Sequence, residues 1–203
     1  MGKKEAKCIE HVSIYNIKEV GFKPTTSERM LFMNKDLKPT YMFEAVQDIS
    51  VDFLKKESIT AILLDIDNTI ITGSFNMTKK VDMWLRSVTK AGIQICILSN
   101  TWNFNKVKKL MLKYDINGLP RAEKPRAKGF NMAYNVLGVP KENMVMIGDQ
   151  IFTDVLGANR FGIRSIYVKP ITRVEWWGTA IKRPFEYIVL KSLNNKKGEK
   201  NKC

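Results

Sequence analysis

Residues 59–72 read ITAILLDIDNTIIT. The run of β-branched and aliphatic residues at 59–64 has the length and composition of a strand buried on both faces. It stops at Asp65-Ile66-Asp67-Asn68-Thr69. Two carboxylates at i and i+2, set where a buried strand gives out, are costly to desolvate unless something pairs with them. A metal ion and a phosphate would do so.

Working outward, strands alternate with helices for more than a hundred residues. Val81, Trp84, Leu85, Val88 and Ala91 recur at helical spacing, and Gly92 supplies a stop. An apolar strand at 93–98 ends in Ser99-Asn100. A helix is expected over 103–114, with Phe104, Val107, Leu110 and Met111 inward and its lysines outward. A short strand over 118–122 precedes Glu123-Lys124-Pro125, and a helix over 127–137 is closed by Gly138. The strand at 144–147 ends in Gly148-Asp149, a helix at 153–161 stops at Gly162, and 164–168 is the last strand. Before the opening stretch, Phe43, Val46, Ile49, Phe53 and Leu54 predict one helix over 41–56. This alternation predicts an α/β fold, a three-layer, Rossmann-like parallel sheet with right-handed crossovers.

The expected organisation is an extension at 1–40 with a short strand at 11–20, a catalytic domain at 41–170, an aromatic and basic segment at 171–193, and a disordered tail at 194–203. In the third of these, Trp176, Trp177, Phe185 and Tyr187 interleave with Arg173, Lys182 and Arg183. Such a segment packs on the sheet edge or lies in a membrane interface.

Composition bounds the partners. Over 203 residues, 34 Lys and Arg against 20 Asp and Glu give a net charge of +14, which attracts an anionic partner or else simply solvates the surface. Three cysteines without CxxC spacing suit a reducing cytoplasm, and a single histidine disfavours a zinc site. No apolar run is long enough to span a bilayer, and no secretory signal opens the sequence.

Functional groups of a doubly wound sheet collect at the carboxyl ends of its strands. Four strand ends here carry polar groups: Asp65 and Asp67, Ser99 and Asn100, Lys124, and Asp149 with Asp154. An aspartate after a strand is most often a turn or a helix cap, so each alone says little. Together they suit phosphoryl transfer. Asp65 can attack phosphorus to form an acyl phosphate, and Asp67 can protonate the leaving oxygen and then activate water. Hard oxygen donors at Asp65, Asp67 (through its carbonyl) and Asp149, with Asp154 binding directly or through water, favour Mg²⁺. Ser99, Asn100 and Lys124 would hold the phosphate oxygens.

The ordered set DxDNT, SN, KP and GDQxxTD resembles the four motifs of the haloacid dehalogenase superfamily of phosphatases. The resemblance covers about residues 45–170 and implies Mg²⁺-dependent chemistry through an aspartyl-phosphate. Aspartate at Asp67 implies a phosphatase, because members acting as ATPases usually carry threonine there. The intervals from Asp67 to Ser99 and from Asn100 to Lys124 are each filled by one helix and one strand, leaving no room for a sizeable cap domain. An open site implies a large or surface-bound substrate. More narrowly, the sequence is similar to the subfamily IIIA group of YqeG-type proteins and phosphatidylglycerophosphate phosphatases. The implied partner is an anionic phospholipid at the inner face of the membrane. A nucleic-acid end or a small phosphorylated metabolite ranks below it, since nothing resembles a base-stacking sheet or an RNA module. A binding protein that has lost the chemistry ranks lower still, because Asp65, Asp67, Lys124 and Asp149 are all intact.

Overall fold

The computed structural model describes residues 36–72 and 76–172. Six parallel strands form one sheet: β1 (Tyr41–Phe43), β2 (Ala61–Leu64), β3 (Gln94–Leu98), β4 (Asn117–Leu119), β5 (Met144–Gly148) and β6 (Arg164–Val168), in the order β1-β6-β5-β2-β3-β4. The α-helices packed on it among the described residues are α1 (Val51–Lys56), α2 (Lys79–Lys90), α3 (Phe104–Tyr114), α4 (Ala127–Leu137) and α5 (Leu156–Phe161).

Side chains of a strand alternate between faces, and the register turns that alternation into two cores. Ile62 stands beside Ile95 and Val145, and Leu64 beside Ile97 and Ile147. This face packs on Leu54 of α1, on Val81, Trp84, Leu85 and Val88 of α2, and on Val107 and Leu110 of α3. The opposite face, with Ala61, Leu63, Cys96, Leu98 and Met146, packs on Phe130, Ala133 and Leu137 of α4 and on Ala158 and Phe161 of α5. Every residue of β2 is therefore buried, as a parallel sheet covered on both sides requires. Each fully buried Leu or Ile contributes about 1.5–3 kcal/mol. The Trp84 indole, buried with this core, donates to the Ile49 carbonyl at 2.7 Å.

Local signals place the helix ends. Thr78 caps α2 by accepting from Val81 N at 3.3 Å, Asn103 caps α3 by accepting from Lys106 N at 3.0 Å, and Gly138 closes α4 in the left-handed conformation. Tyr134 and Phe130 of α4 both lie against Phe161.

Four expectations are corrected. The single helix over 41–56 is instead strand β1, a 3₁₀ turn at Val46–Asp48 and the short helix α1. Tyr41 and Phe43 point to the same face and both meet the Phe53 ring edge-on, at 5.1 and 5.2 Å between centroids, while Met42 points away. Ser50 in extended conformation then caps α1 through Phe53 N. Apolar residues three and four apart arise as readily from a strand, a turn and a helix in series as from one helix. Second, the strand at 118–122 lies at Asn117–Leu119, ended by Pro120. Third, the helix at 153–161 begins earlier, as a π-helical turn at Ile151–Val155 that runs into α5. Fourth, on α3 Phe104 is exposed and Lys106 is buried, the reverse of the amphipathic reading.

Residues 11–20, the segment 173–193 with Trp176 and Trp177, and the tail lie outside the described residues. Among the described residues, no helix is long and apolar enough to cross a membrane.

Candidate active site

Strand order reverses at β2, whose neighbours β3 and β5 lead to opposite halves of the sheet. The crevice beyond the carboxyl end of such a strand is where ligands bind in open α/β sheets. Asp65 emerges there, its amide still held to the sheet by the Ile147 carbonyl at 2.9 Å. The chain then folds back on itself: the amides of Thr69, Ile70 and Ile71 all donate to the Ile66 carbonyl, with Asn68 left-handed at φ 62°. Asparagine tolerates that conformation better than most residues. The loop is tied from outside by Thr172, whose hydroxyl donates to Asn68 Oδ1 at 2.8 Å.

Three carboxylates converge beneath this loop. Asp65, Asp149 and Asp154 are buried, and each offers an oxygen within 4.8 Å of the other two. The π-helical turn accounts for Asp154: it carries the side chain back under the end of β5, where Oδ2 accepts from Gln150 N at 3.1 Å. Such turns recur at functional sites because they re-aim one side chain. Between the carboxylates sits Lys124. Its Nζ contacts Asp65 Oδ1 at 2.6 Å and Asp154 Oδ1 at 2.7 Å, and its side chain is only 2% exposed. The Thr69 hydroxyl lies 3.4 Å from both Asp65 Oδ2 and Asp149 Oδ1.

Electrostatics follow from burial. Desolvation pushes the Asp65 carboxyl up to about 7; Lys124 opposes the shift and Asp154 adds to it. Burial works against the Lys124 ammonium too, but the carboxylates of Asp154 and Asp65 overcome it and hold its pKa above the ordinary value. With Asp65 ionised, three carboxylates against one ammonium leave two net negative charges in a buried site whose acceptors are all oxygens. A divalent hard cation fits that charge and that donor set.

Asp67 and the second strand end are arranged differently. The Asp67 side chain is 47% exposed at the mouth and pairs with Lys106, a buried lysine of α3. The Ser99 hydroxyl, buried at the end of β3, accepts from Thr101 N at 3.1 Å. The Asn100 amide clasps the backbone of Lys124, donating to its carbonyl at 3.0 Å and accepting from its amide at 2.8 Å. Asn100 thus fixes where Lys124 starts, and the carboxylates fix where it ends. Thr69 and Lys106 are the polar neighbours that sequence reasoning left without a role. Thr69 sits inside a quoted motif, whereas Lys106 is one of four lysines on α3 and nothing in the sequence distinguishes it.

Gly148 shows how tight the assembly is. A Cβ there would fall inside the van der Waals radius of the Asp154 carboxylate. Gly148→Ala is expected to push Asp154 off Lys124 and Gln150, costing about 1–3 kcal/mol. A thermal scan with and without Mg²⁺ checks it: the melting temperature falls and Mg²⁺ restores less of it than in wild type.

The chain is similar to several known proteins. A HAD-hydrolase-like family model matches residues 121–194. The probable phosphatase YqeG of Bacillus subtilis (strain 168) is 32% identical over 165 residues, covering 81% of this chain and 95% of that protein. Among solved structures, an uncharacterized protein from Listeria monocytogenes serotype 4b aligns with a TM-score of 0.47 at 20% identity, over 66% of this chain and 99% of that one. The cobalt-bound deoxy-D-mannose-octulosonate 8-phosphate phosphatase of Haemophilus influenzae aligns with a TM-score of 0.40 at 18% identity, over 47% of this chain and 61% of that one. With a relative this similar along nearly its whole length, the chain belongs to the haloacid dehalogenase superfamily, among its YqeG-like phosphatases.

Proposed function

We propose that this phosphatase uses Mg²⁺ and an aspartyl-phosphate on Asp65 to convert phosphatidylglycerophosphate to phosphatidylglycerol. The reading of the chemistry rests on the buried Asp65–Lys124–Asp154 chain, with Asp67 set apart at the mouth. An Asp65 oxygen attacks phosphorus as the bond to the leaving oxygen breaks, and Asp67 gives that oxygen its proton. Water, deprotonated by Asp67, then attacks the same phosphorus; the bond to Asp65 breaks and inorganic phosphate departs. Lys124 and Ser99 hold the phosphate oxygens, and Asn100 keeps Lys124 in register. Asp65, Asp149 and Asp154 and the Asp67 carbonyl would hold Mg²⁺, which would supply charge neutralisation between two anions.

Support for an amphiphilic substrate comes from the surface beside Asp67. A groove there has an apolar floor of Ile71, Met77 and Leu110 and is lined by Lys106, Lys109 and Lys113. A leaving group that carries both a second phosphate and an apolar glycerol ester matches such a lining. The substrate's own charge competes with Asp67 for Lys106, freeing the carboxylate to handle a proton. The decisive test is phosphate release from phosphatidylglycerophosphate, oligonucleotide ends and small sugar phosphates across a Mg²⁺ titration. Fastest turnover of the lipid upholds the reading. Turnover of the others with the lipid untouched defeats the substrate and leaves the reaction class.

Metal binding and proton release are linked. Because the buried Asp65 carboxyl titrates near 7 rather than at its ordinary value, it favours the folded state while protonated. Its contribution is complete below about pH 4 and is lost as pH rises through about 7. A cation needs the carboxylate, so binding displaces that proton. The Mg²⁺-induced rise in melting temperature is therefore expected to grow between about pH 5 and pH 8. A flat profile would contradict Asp65 as a ligand.

A further inference from the structure

The outer face of α3 carries large apolar groups where a solvated helix would carry polar ones. Phe104, Lys108 and Leu112 fall at i, i+4 and i+8 and so line up in one ridge, with Phe104 54% and Leu112 76% exposed. Trp102, just before the helix, is 72% exposed, and the Arg121 guanidinium lies over its ring at 3.9 Å from the centroid. The helix holds four lysines and no acidic residue. Its other side is part of the active site, because Lys106 reaches Asp67.

We propose that this ridge of Trp102, Phe104, Lys108 and Leu112, with Arg121, is the surface by which the protein seats on an anionic lipid bilayer. The inference rests on the lipid-phosphate reading above and assigns the residues that meet the membrane. Aromatic and aliphatic groups enter the headgroup boundary while lysines on the flanks meet lipid phosphates, the arrangement of an interfacial helix. The charge of +14 draws the protein to such a surface. A nucleic acid fits less well: Phe104 and Leu112 offer an aliphatic-aromatic ridge, and one face of Trp102 is already covered by Arg121. The ridge starts just past the carboxyl end of β3, at the end of the sheet where the site opens.

The test uses full-length protein and vesicles of phosphatidylglycerol in phosphatidylcholine. These carry no phosphomonoester, so binding is read apart from turnover and survives or fails independently of the substrate assignment. Wild type is expected to sediment with them and to be released by salt. The combination Trp102→Ser, Phe104→Ser and Leu112→Ser is expected to lower the bound fraction about tenfold or more. Hydrolysis of p-nitrophenyl phosphate should stay within about twofold of wild type, which shows that the variant is folded. Lys108→Glu alone should weaken binding and its salt dependence. Equal sedimentation of wild type and the triple variant overturns the inference. So does binding to phosphatidylcholine alone as tight as to the anionic mixture, or displacement from vesicles by an oligonucleotide with the triple variant behaving as wild type. Loss of binding on Trp176→Ala with Trp177→Ala, with no loss in the triple variant, would place the contact elsewhere and also overturn it.

Discussion

Asp65→Asn is expected to lower phosphate release by at least about 10³-fold and, in metal-free protein, to raise the melting temperature by a few degrees. The first effect follows from removing the attacking oxyanion, for which an amide has no substitute. The second follows from charge. Asp65 shares a buried site with two other carboxylates and one lysine, and burial pushes its carboxyl up to about 7. A neutral amide of the same shape removes one desolvated anion, and its oxygen can still accept from Lys124. A gain of about 1 kcal/mol corresponds to about 2–4 °C in a chain of this size. With Mg²⁺ the order inverts, because a cation bound to the native state stabilises wild type by mass action and finds fewer ligands in the variant. Paired thermal scans, with and without Mg²⁺, read both signs. Hydrolysis near the wild-type rate would remove Asp65 from the role of nucleophile.

This opposition between stability and chemistry explains why the centre of the site was legible in the sequence. A carboxylate at the end of an all-apolar strand contradicts its surroundings, and Asp65 and Asp149 both stand in that position at neighbouring strands. β2 and β5 were equally legible, since a strand buried on both faces must be apolar throughout, and β3 departs from that only at its exposed first residue, Gln94. The parts that escaped are those whose local pattern is ordinary. β1 contributes three residues to a sheet edge and is followed at once by turns, so its period never separates from that of a helix. Lys106 reads as one more solvent-facing lysine; its burial depends on Asp67, far away in the chain, and on the packing of α3 over the loop that follows β2. The tie between Asn100 and the Lys124 backbone is likewise long-range, although both residues were singled out. Sequence reports the demands of a residue's immediate neighbours. Which distant group answers them is decided by topology.

Lys124→Met should be the most damaging substitution in the protein, for stability as well as for catalysis. The side chain is fully enclosed and answers two carboxylates, Asp65 at 2.6 Å and Asp154 at 2.7 Å. Methionine fills similar space but leaves the carboxylates without a counter-charge, and removing one partner of a buried ion pair costs about 3–5 kcal/mol. In this chain that corresponds to a fall of roughly 10 °C in melting temperature. The sign of its pH dependence is fixed as well. Lys124 is the influence that holds the Asp65 carboxyl down against burial, so its loss lets that carboxyl rise further. A group whose folded-state pKa lies above its unfolded value stabilises below the unfolded pKa and loses that contribution as pH rises through the folded one. The defect should therefore be small near about pH 5 and large near about pH 8. A second substitution separates structure from chemistry. Adding Asp154→Asn removes one of the stranded anions, so the double variant should be more stable than Lys124→Met alone, with a coupling of about 1–3 kcal/mol in the cycle. Activity should not return with it, because the charge that holds the phosphate is still missing. If the double variant recovered hydrolysis along with stability, Lys124 would be a structural counter-ion and nothing more. Recovery of stability alone would show one ammonium doing two things, holding the acidic cluster together in the resting protein and meeting the substrate phosphate when it arrives.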